Sequence, residues 1–329
     1  MLASLFREGP VSPSFSQCLD VPNGAVLLGL PGLLQMGLLR HAGKYFQLPQ
    51  GYYGLESIFL LLAFMALARL KTIESLRYCS PGEWGKLLGL DRIPEARTLR
   101  RKVKILTQGN QAIHWSGELS RDWMGMFPET AGVLYIDGHV RVYNGSQTEL
   151  PRHHVARQRL CLRATTDYWV NAMDGQPFFM VNKAVDPGLL TVLEKDIIPR
   201  LEKDVPYQPS LFEMEKDRYR TRFTLVFDRE GYSPEFMARM WEIRIACLTY
   251  RKYSGEDWPE SEFHPQKVTL VSGHVVEMKL AERGTWLGGK LWVREIRKLR
   301  KSGRQTAIIS TNYTMNLVIM AAAMFARWC

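Results

Sequence analysis

Cysteine is scarce and poorly placed for structural work. The five residues, at positions 18, 79, 161, 247 and 329, are odd in number, widely spread and without a C-x-x-C pair. Neither a disulfide framework nor a zinc knuckle is supported, and a reducing cytoplasm is the expected compartment. The seven histidines form no H-x-x-x-H or H-E-x-x-H arrangement, which leaves no histidine-based metal motif. His153 and His154, set between Arg152 and Arg157, read as an exposed basic loop. Long hydrophobic runs are also missing. The longest apolar stretch, Ser57 to Ala68, is bounded by Glu56 and Arg69 and falls well short of the roughly 20 residues that span a bilayer, so it reads as a buried core helix. Ala25 to Leu39 is interrupted by Pro31 and several glycines and lacks the basic start and small-residue cleavage site of a signal peptide. A soluble protein with no membrane contact is expected.

Negative charge is in deficit. Lys and Arg number 43 against 33 Asp and Glu, a formal charge of +10, which favours a polyanionic partner, most simply nucleic acid. With 46% hydrophobic residues over 329 positions the chain can bury one large core or several modest ones, and disorder is excluded.

Residues 1–50, rich in Gly, Pro and Ser, read as an irregular N-terminal arm. Residues 51–128 form a helical region. A helical pattern runs from Leu55 to Cys79. A second helix starts with Ser80 as N-cap, Pro81 in the first turn and Glu83 completing a capping box, and it stops at Gly89. A third begins near Pro94 and places Leu99, Val103 and Leu106 on one face, with Arg97, Arg100, Arg101, Lys102 and Lys104 on the rest. Two readings stay open for this pair: a helix-turn-helix DNA reader or an ordinary solvated face.

After Pro128 the period changes from 3.6 to 2. Residues 133–136, 140–143, 160–170 and 176–182 read as strands, followed by a helix over about 188–202, a strand ending at Asp228, a helix from Pro234 and a strand over 243–250. Residues 253–311 read as a β-rich insertion, with strands over 267–270, 275–280, 291–299 and 305–310 and a hairpin turn at Ser302-Gly303. Its segment Lys290 to Arg304 carries seven basic residues and one acid. Residues 312–329 read as a last, apolar helix presenting Leu317, Met320, Met324 and Trp328 to the sheet.

Two segments point to chemistry. Gly132-Val-Leu-Tyr-Ile-Asp137-Gly-His139 and Phe223-Thr-Leu-Val-Phe-Asp228-Arg-Glu-Gly231 each end an apolar strand on an aspartate beside or near glycine, where open α/β sheets carry their sites. A pair of such carboxylates suits a divalent cation. For Asp137 the competing reading is a hairpin turn, because Asp-Gly is a strong turn signal. Glu230 reads as a cap for the following helix.

The order of elements, together with Tyr135-Ile-Asp-Gly-His139, Thr165-Thr-Asp-Tyr-Trp169 and Val226-Phe-Asp-Arg-Glu-Gly-Tyr232, resembles the ribonuclease H-like catalytic core of DDE transposases from bacterial insertion sequences. The insertion is similar to that of the cut-and-paste group with a Y-x2-R-x3-E-x6-K signature. The resemblance implies an α/β fold with a mixed five-stranded sheet over 129–252, a β-rich insertion, and a helical region before them. It also implies Mg2+ or Mn2+ as cofactor, with Asp137 bridging two ions and Asp228 holding one. Double-stranded DNA at insertion-sequence ends is the implied partner, bound by a homodimer, with Arg97, Arg100, Arg101, Lys104, Arg294, Arg297, Lys298, Arg300 and Lys301 on the phosphates. Arg327 fits the arginine of the signature, with Met324 where its tyrosine would stand. The signature glutamate would follow four positions later, beyond Cys329, so the resemblance implies a chain cut off before its third ligand and short of cleavage activity. Of the acids that could replace it, Glu277, Glu282 and Glu230 are poorly placed, and Glu295, amid Arg294, Arg297 and Lys298, suits an ion pair. The alternatives are a non-catalytic DNA-binding remnant that represses transposition, or a basic α/β protein with no DNA role.

Overall fold

The computed structural model describes residues 23–145, 148–155, 158–270 and 272–325, and contacts within it divide the chain into two units, Met1–Leu119 and Ser120–Cys329. Among the described residues no helix is long and apolar enough to cross a membrane.

The first unit is helical. Its α1 (Leu55–Leu67), α2 (Pro81–Leu88) and α3 (Ala96–Leu106) enclose Ile58, Phe64, Trp84, Leu87 and Leu99. The described part of the expected irregular arm is instead helical: Gly24–Gly29, Leu30–Gln35 and Ala42–Tyr45 are short turns of helix. The last two are separated by left-handed residues at Gly37 and His41, and Val26, Leu30 and Ala42 of these turns join the same core. Positive φ at Arg69 likewise ends α1 early, so the single helix expected from Leu55 to Cys79 becomes α1 and a separate 3-10 turn, Ile73–Tyr78. Ser80 precedes α2 without a side-chain capping bond, and Gly89, at φ 69°, closes it. The capping box is therefore not formed. A Cβ at Gly85 would lie 2.5 Å from the Arg92 amide nitrogen, so glycine there lets the chain leaving α2 fold back against it.

The helix α4 (Gln111–Met126) carries the chain across the division. The second unit is built on one ten-stranded sheet, ordered β2-β3-β1-β5-β6-β10-β9-β8-β7 with β4 also on β3. Its strands are β1 (Val133–Val142), β2 (Arg152–Val155), β3 (Leu160–Ala172), β4 (Pro177–Lys183), β5 (Thr224–Phe227) and β6 (Ala246–Tyr250). They continue with β7 (His264–Thr269), β8 (Val275–Leu287), β9 (Leu291–Leu299) and β10 (Gln305–Ser310). Strands β1, β5 and β6 are parallel, and the others pair antiparallel.

Three expectations change. The sheet is not five-stranded with a separate insertion, because β10 hydrogen-bonds directly to β6 through Ile308↔Tyr250 and so extends the core sheet. His153 and His154 lie in β2, paired to Leu162 and Cys161, and not in a loop. The helix expected over 188–202 runs continuously over 189–204 but is not α-helical throughout, a π-helical Leu193–Ile197 lying between Leu189–Val192 and Ile198–Asp204. Pro199 has no N–H to give, and a local change of hydrogen-bond spacing before it accommodates that loss.

Alternation sorts the sheet into two faces. Leu134, Ile136, Leu225 and Phe227 pack with the 189–204 helix and α5 (Pro234–Glu242). Tyr135, Val226, Leu248, Ile296 and Ile308 pack with α6 (Leu317–Phe325). Met320 and Met324 are buried as the pattern requires, joined by Ala321, Ala322, Ala323 and Phe325. Three consecutive alanines let the helix backbone lie close to the sheet. Trp328 and Arg327 lie outside the described residues.

Candidate active site

The parallel pairing of β1 with β5 runs from Val133↔Thr224 to Ile136↔Phe227. Asp137 and Asp228 are the next residue on each strand, and neighbouring strands lie about 4.8 Å apart. Tyr135 and Val226, two positions earlier on each strand, are buried beneath α6, so alternation turns both aspartates to that same face. Both are half-buried. Asp137-Gly138 forms no turn: β1 runs on to Val142, paired throughout with β3, and Asp137 faces Trp169 in that register. On the other face the ring of Tyr168 lies over Gly138, 3.3 Å from where a Cβ would be.

The Asp228 side chain has a local task as well. It accepts a 2.9 Å hydrogen bond from the Glu230 amide and caps the short turn Arg229–Gly231, while Thr249 Oγ1 donates 2.8 Å to the Asp228 carbonyl. Glu230 does not cap the following helix; Ser233 does, accepting from the Phe236 amide at 3.2 Å. The Glu230 carboxyl is held above the usual carboxylate range by partial burial and then by the negative charges of Asp228, Asp186 and Asp137, with Lys252 opposing. Negative charge thus gathers at this end of the sheet. Asp186 also accepts from the Tyr168 hydroxyl, whose own pKa is pushed far up by burial and by that bond. Neither Asp186, in an Asp-Pro-Gly turn, nor Tyr168 was legible as part of this cluster, because only the pairing of β1 with β3 brings them near. Among the described residues no set of three or more His, Cys, Asp or Glu converges as a ready cation cage.

Basic side chains border Asp228. A cavity of about 390 Å³ is lined by Asp228, Arg229, Tyr250, Arg300, Arg304 and Thr306. A neighbouring cavity of about 700 Å³ shares Tyr250, Arg300 and Thr306 with it and adds Lys279, Lys298 and Lys301. The β9–β10 hairpin turn, closed by Gly303 at φ 78°, therefore carries its exposed Arg300, Lys301 and Arg304 to the Asp228 end of the sheet. Arg229 and Arg304 were not singled out by sequence, although Arg304 closes the basic segment.

Not every expected basic residue is available. Arg297 is 2% exposed, bonds Glu295 at 2.8 Å and the Glu256 carbonyl at 2.7 Å, and stacks 4.3 Å from the Trp258 ring. Such a guanidinium cannot reach a phosphate. Arg294 is largely covered and donates to Glu282 at 2.5 Å and to the Met315 carbonyl at 2.6 Å. Glu282 and Glu295 are thereby ion-pair partners, Glu295 also meeting Arg251. In the first unit Arg97, Arg101 and Lys104 are exposed on α3, and Arg100, also exposed, pairs with Glu74 at 2.9 Å.

No curated protein matches the chain. A piggyBac transposase, solved by cryo-electron microscopy as a synaptic complex with hairpin DNA, is similar with a TM-score of 0.34 and 9% identity, over 99% of this chain and 60% of that one. The present chain thus spans about three fifths of that chain's length. The family described as "Transposase protein" matches residues 3–329, and the chain belongs to that transposase family.

Proposed function

We propose that the protein cuts and joins DNA strands at the ends of an insertion sequence, as a metal-dependent transposase of the DDE type. The observation that carries this reading is the placement of Asp137 and Asp228 side by side, on one face, where β1 outruns β5. Mg2+ keeps several waters and is commonly held by one or two carboxylates plus substrate phosphate oxygens, so a carboxylate pair beside a basic cavity fits Mg2+ or Mn2+ without a complete protein cage. Bound there, the ion would supply Lewis-acid activation of the attacking and leaving oxygens. The chain's own part is positional. Asp137 and Asp228 hold the cation, while Arg229, Arg300 and Arg304 hold the phosphodiester in the adjoining cavity, and Arg97, Arg101 and Lys104 add sequence-independent affinity for duplex DNA.

A second reading, a non-catalytic DNA-binding protein that occupies the ends and represses transposition, draws on the capping role of Asp228 and on the lack of a three-donor set among the described residues. Incubating the purified chain with a labelled duplex bearing the ends and Mn2+ separates the two. The first expects nicking that Asp137→Asn and Asp228→Asn abolish while binding persists. Binding with no nicking by the unaltered protein supports the repressor, and nicking that survives Asp137→Asn overturns the residue assignment.

A further inference from the structure

At the end of the sheet opposite the aspartates, where β5 and β6 begin, four aromatic rings and two arginines surround a separate cavity of about 770 Å³. They come from distant parts of the chain: Arg218 and Tyr219 ahead of β5, Trp241 in the last turn of α5, Arg244 between α5 and β6, Trp292 at the start of β9 and Tyr313 beyond β10. The rings brace one another. Tyr313 lies 5.0 Å from Trp241 and 5.2 Å from Tyr219, centroid to centroid, and its hydroxyl donates to the Trp292 carbonyl. Trp292 rests over Gly284, where a Cβ would come within 2.0 Å of the indole, and meets Trp286 edge-on at 5.3 Å. Yet Tyr219 and Trp292 remain 38% and 42% exposed.

The arginines are oriented as well. Arg244 adopts φ 63°, a left-handed conformation that is costly for a long side chain, with its guanidinium 5.4 Å from the Trp241 ring and bonded to the Arg218 carbonyl. Arg218 stacks 4.6 Å from the Tyr219 ring. One acid, Glu242, is exposed at the edge. Tyr219, Trp241 and Tyr313 are packed ring to ring, and the cavity opens beside that cluster with Trp292 on its lining, so the ring faces of Tyr219 and Trp292 stay partly wet. Rigid aromatic faces beside guanidinium groups recognise unpaired nucleobases, the rings stacking on the base and the cations meeting its phosphate.

We propose that this cavity seats an unpaired nucleobase of single-stranded or distorted DNA, as a second DNA contact remote from Asp137 and Asp228. The ligand class rests on the reading of the protein as a DNA-acting transposase; the site does not depend on the aspartates. The test is fluorescence anisotropy with a labelled duplex carrying one bulged thymine and with the same duplex fully paired. The unaltered protein should bind the bulged probe about tenfold more tightly, as expected for one stacked base. Trp292→Leu, at a partly exposed ring, and Arg244→Asn, which tolerates the left-handed backbone, should each erase most of that preference and leave affinity for the paired probe within about twofold. Equal binding of the two probes by the unaltered protein, or a preference that survives both substitutions, overturns this site alone. No binding to either probe overturns it together with the DNA reading.

Discussion

Side chains of one chemical type divide here according to what surrounds them. Arg297 and Arg300 are three residues apart on one basic segment, yet the first is buried on Glu295, Glu256 and Trp258 and the second faces the cavity beside Asp228. Removing Arg297 leaves Glu295 still paired with Arg251 but takes the donor from the part-buried Glu256 carbonyl, at about 1–3 kcal/mol, and removes the guanidinium packed on Trp258. Arg297→Ala should therefore lower the urea midpoint sharply while leaving the DNA affinity of the folded protein unchanged, and Arg300→Gln should do the reverse. A weakened affinity without loss of stability in Arg297→Ala would return that residue to the interface. Asp137 and Asp228 admit a test independent of cleavage. Ions that bind only the folded state stabilise it by mass action, so Mn2+ should raise the thermal midpoint by several degrees, and Asp137→Asn should remove that increment. Equal increments in both proteins would show that the ions bind elsewhere. The aspartates themselves were legible because each ends an apolar run. Asp186, which acts on Glu230 together with both aspartates, and Tyr168, which donates to Asp186, were not, since no local pattern records which strand lies beside β1.

Among the elements, α6 is tied to the strands that bear the site. Tyr135 of β1 donates to the Ala323 carbonyl at 3.1 Å and Tyr250 of β6 to the Met324 carbonyl at 3.0 Å. These two hydroxyls fasten α6 to the sheet. Replacing both tyrosines with Phe removes both bonds, at about 0.5–1.5 kcal/mol each. Amide exchange should then quicken in α6 and in β6 before it does in the first unit, and uniform quickening would argue against a local tie. The bounds of β9 and β10 followed directly from period-2 alternation around Ser302-Gly303. Continuity of the sheet across β6 and β10 did not, because pairing of strands more than fifty residues apart leaves no local trace. Turn chemistry misled at Asp137-Gly138, where pairing with β3 through Val142↔Ala164 overrides the preference of the dipeptide.

For the molecule as a whole, the question is where the formal charge of +10 acts. Many basic residues are already matched: Arg121 and Arg200 each reach Asp204 at 3.1 Å, Lys183 reaches Asp196 at 2.9 Å, and Arg141 reaches Asp167 at 2.6 Å. Of the exposed groups proposed for DNA, two trios lie one in each unit, Arg97, Arg101 and Lys104 on α3 and Arg300, Lys301 and Arg304 at the β9–β10 hairpin. Each phosphate contact adds about 0.9 to the slope of log affinity against log salt for duplex DNA. Changing either trio to Gln should flatten that slope by about 2–3, and changing both should flatten it by the sum if a single duplex engages both sets. Measured over 50–200 mM salt, a double set no flatter than one trio alone would mean that only one unit meets the DNA. An unchanged slope for the hairpin trio would detach the Asp228 cavity from the substrate path and leave the aspartate pair without the phosphate-holding groups proposed beside it.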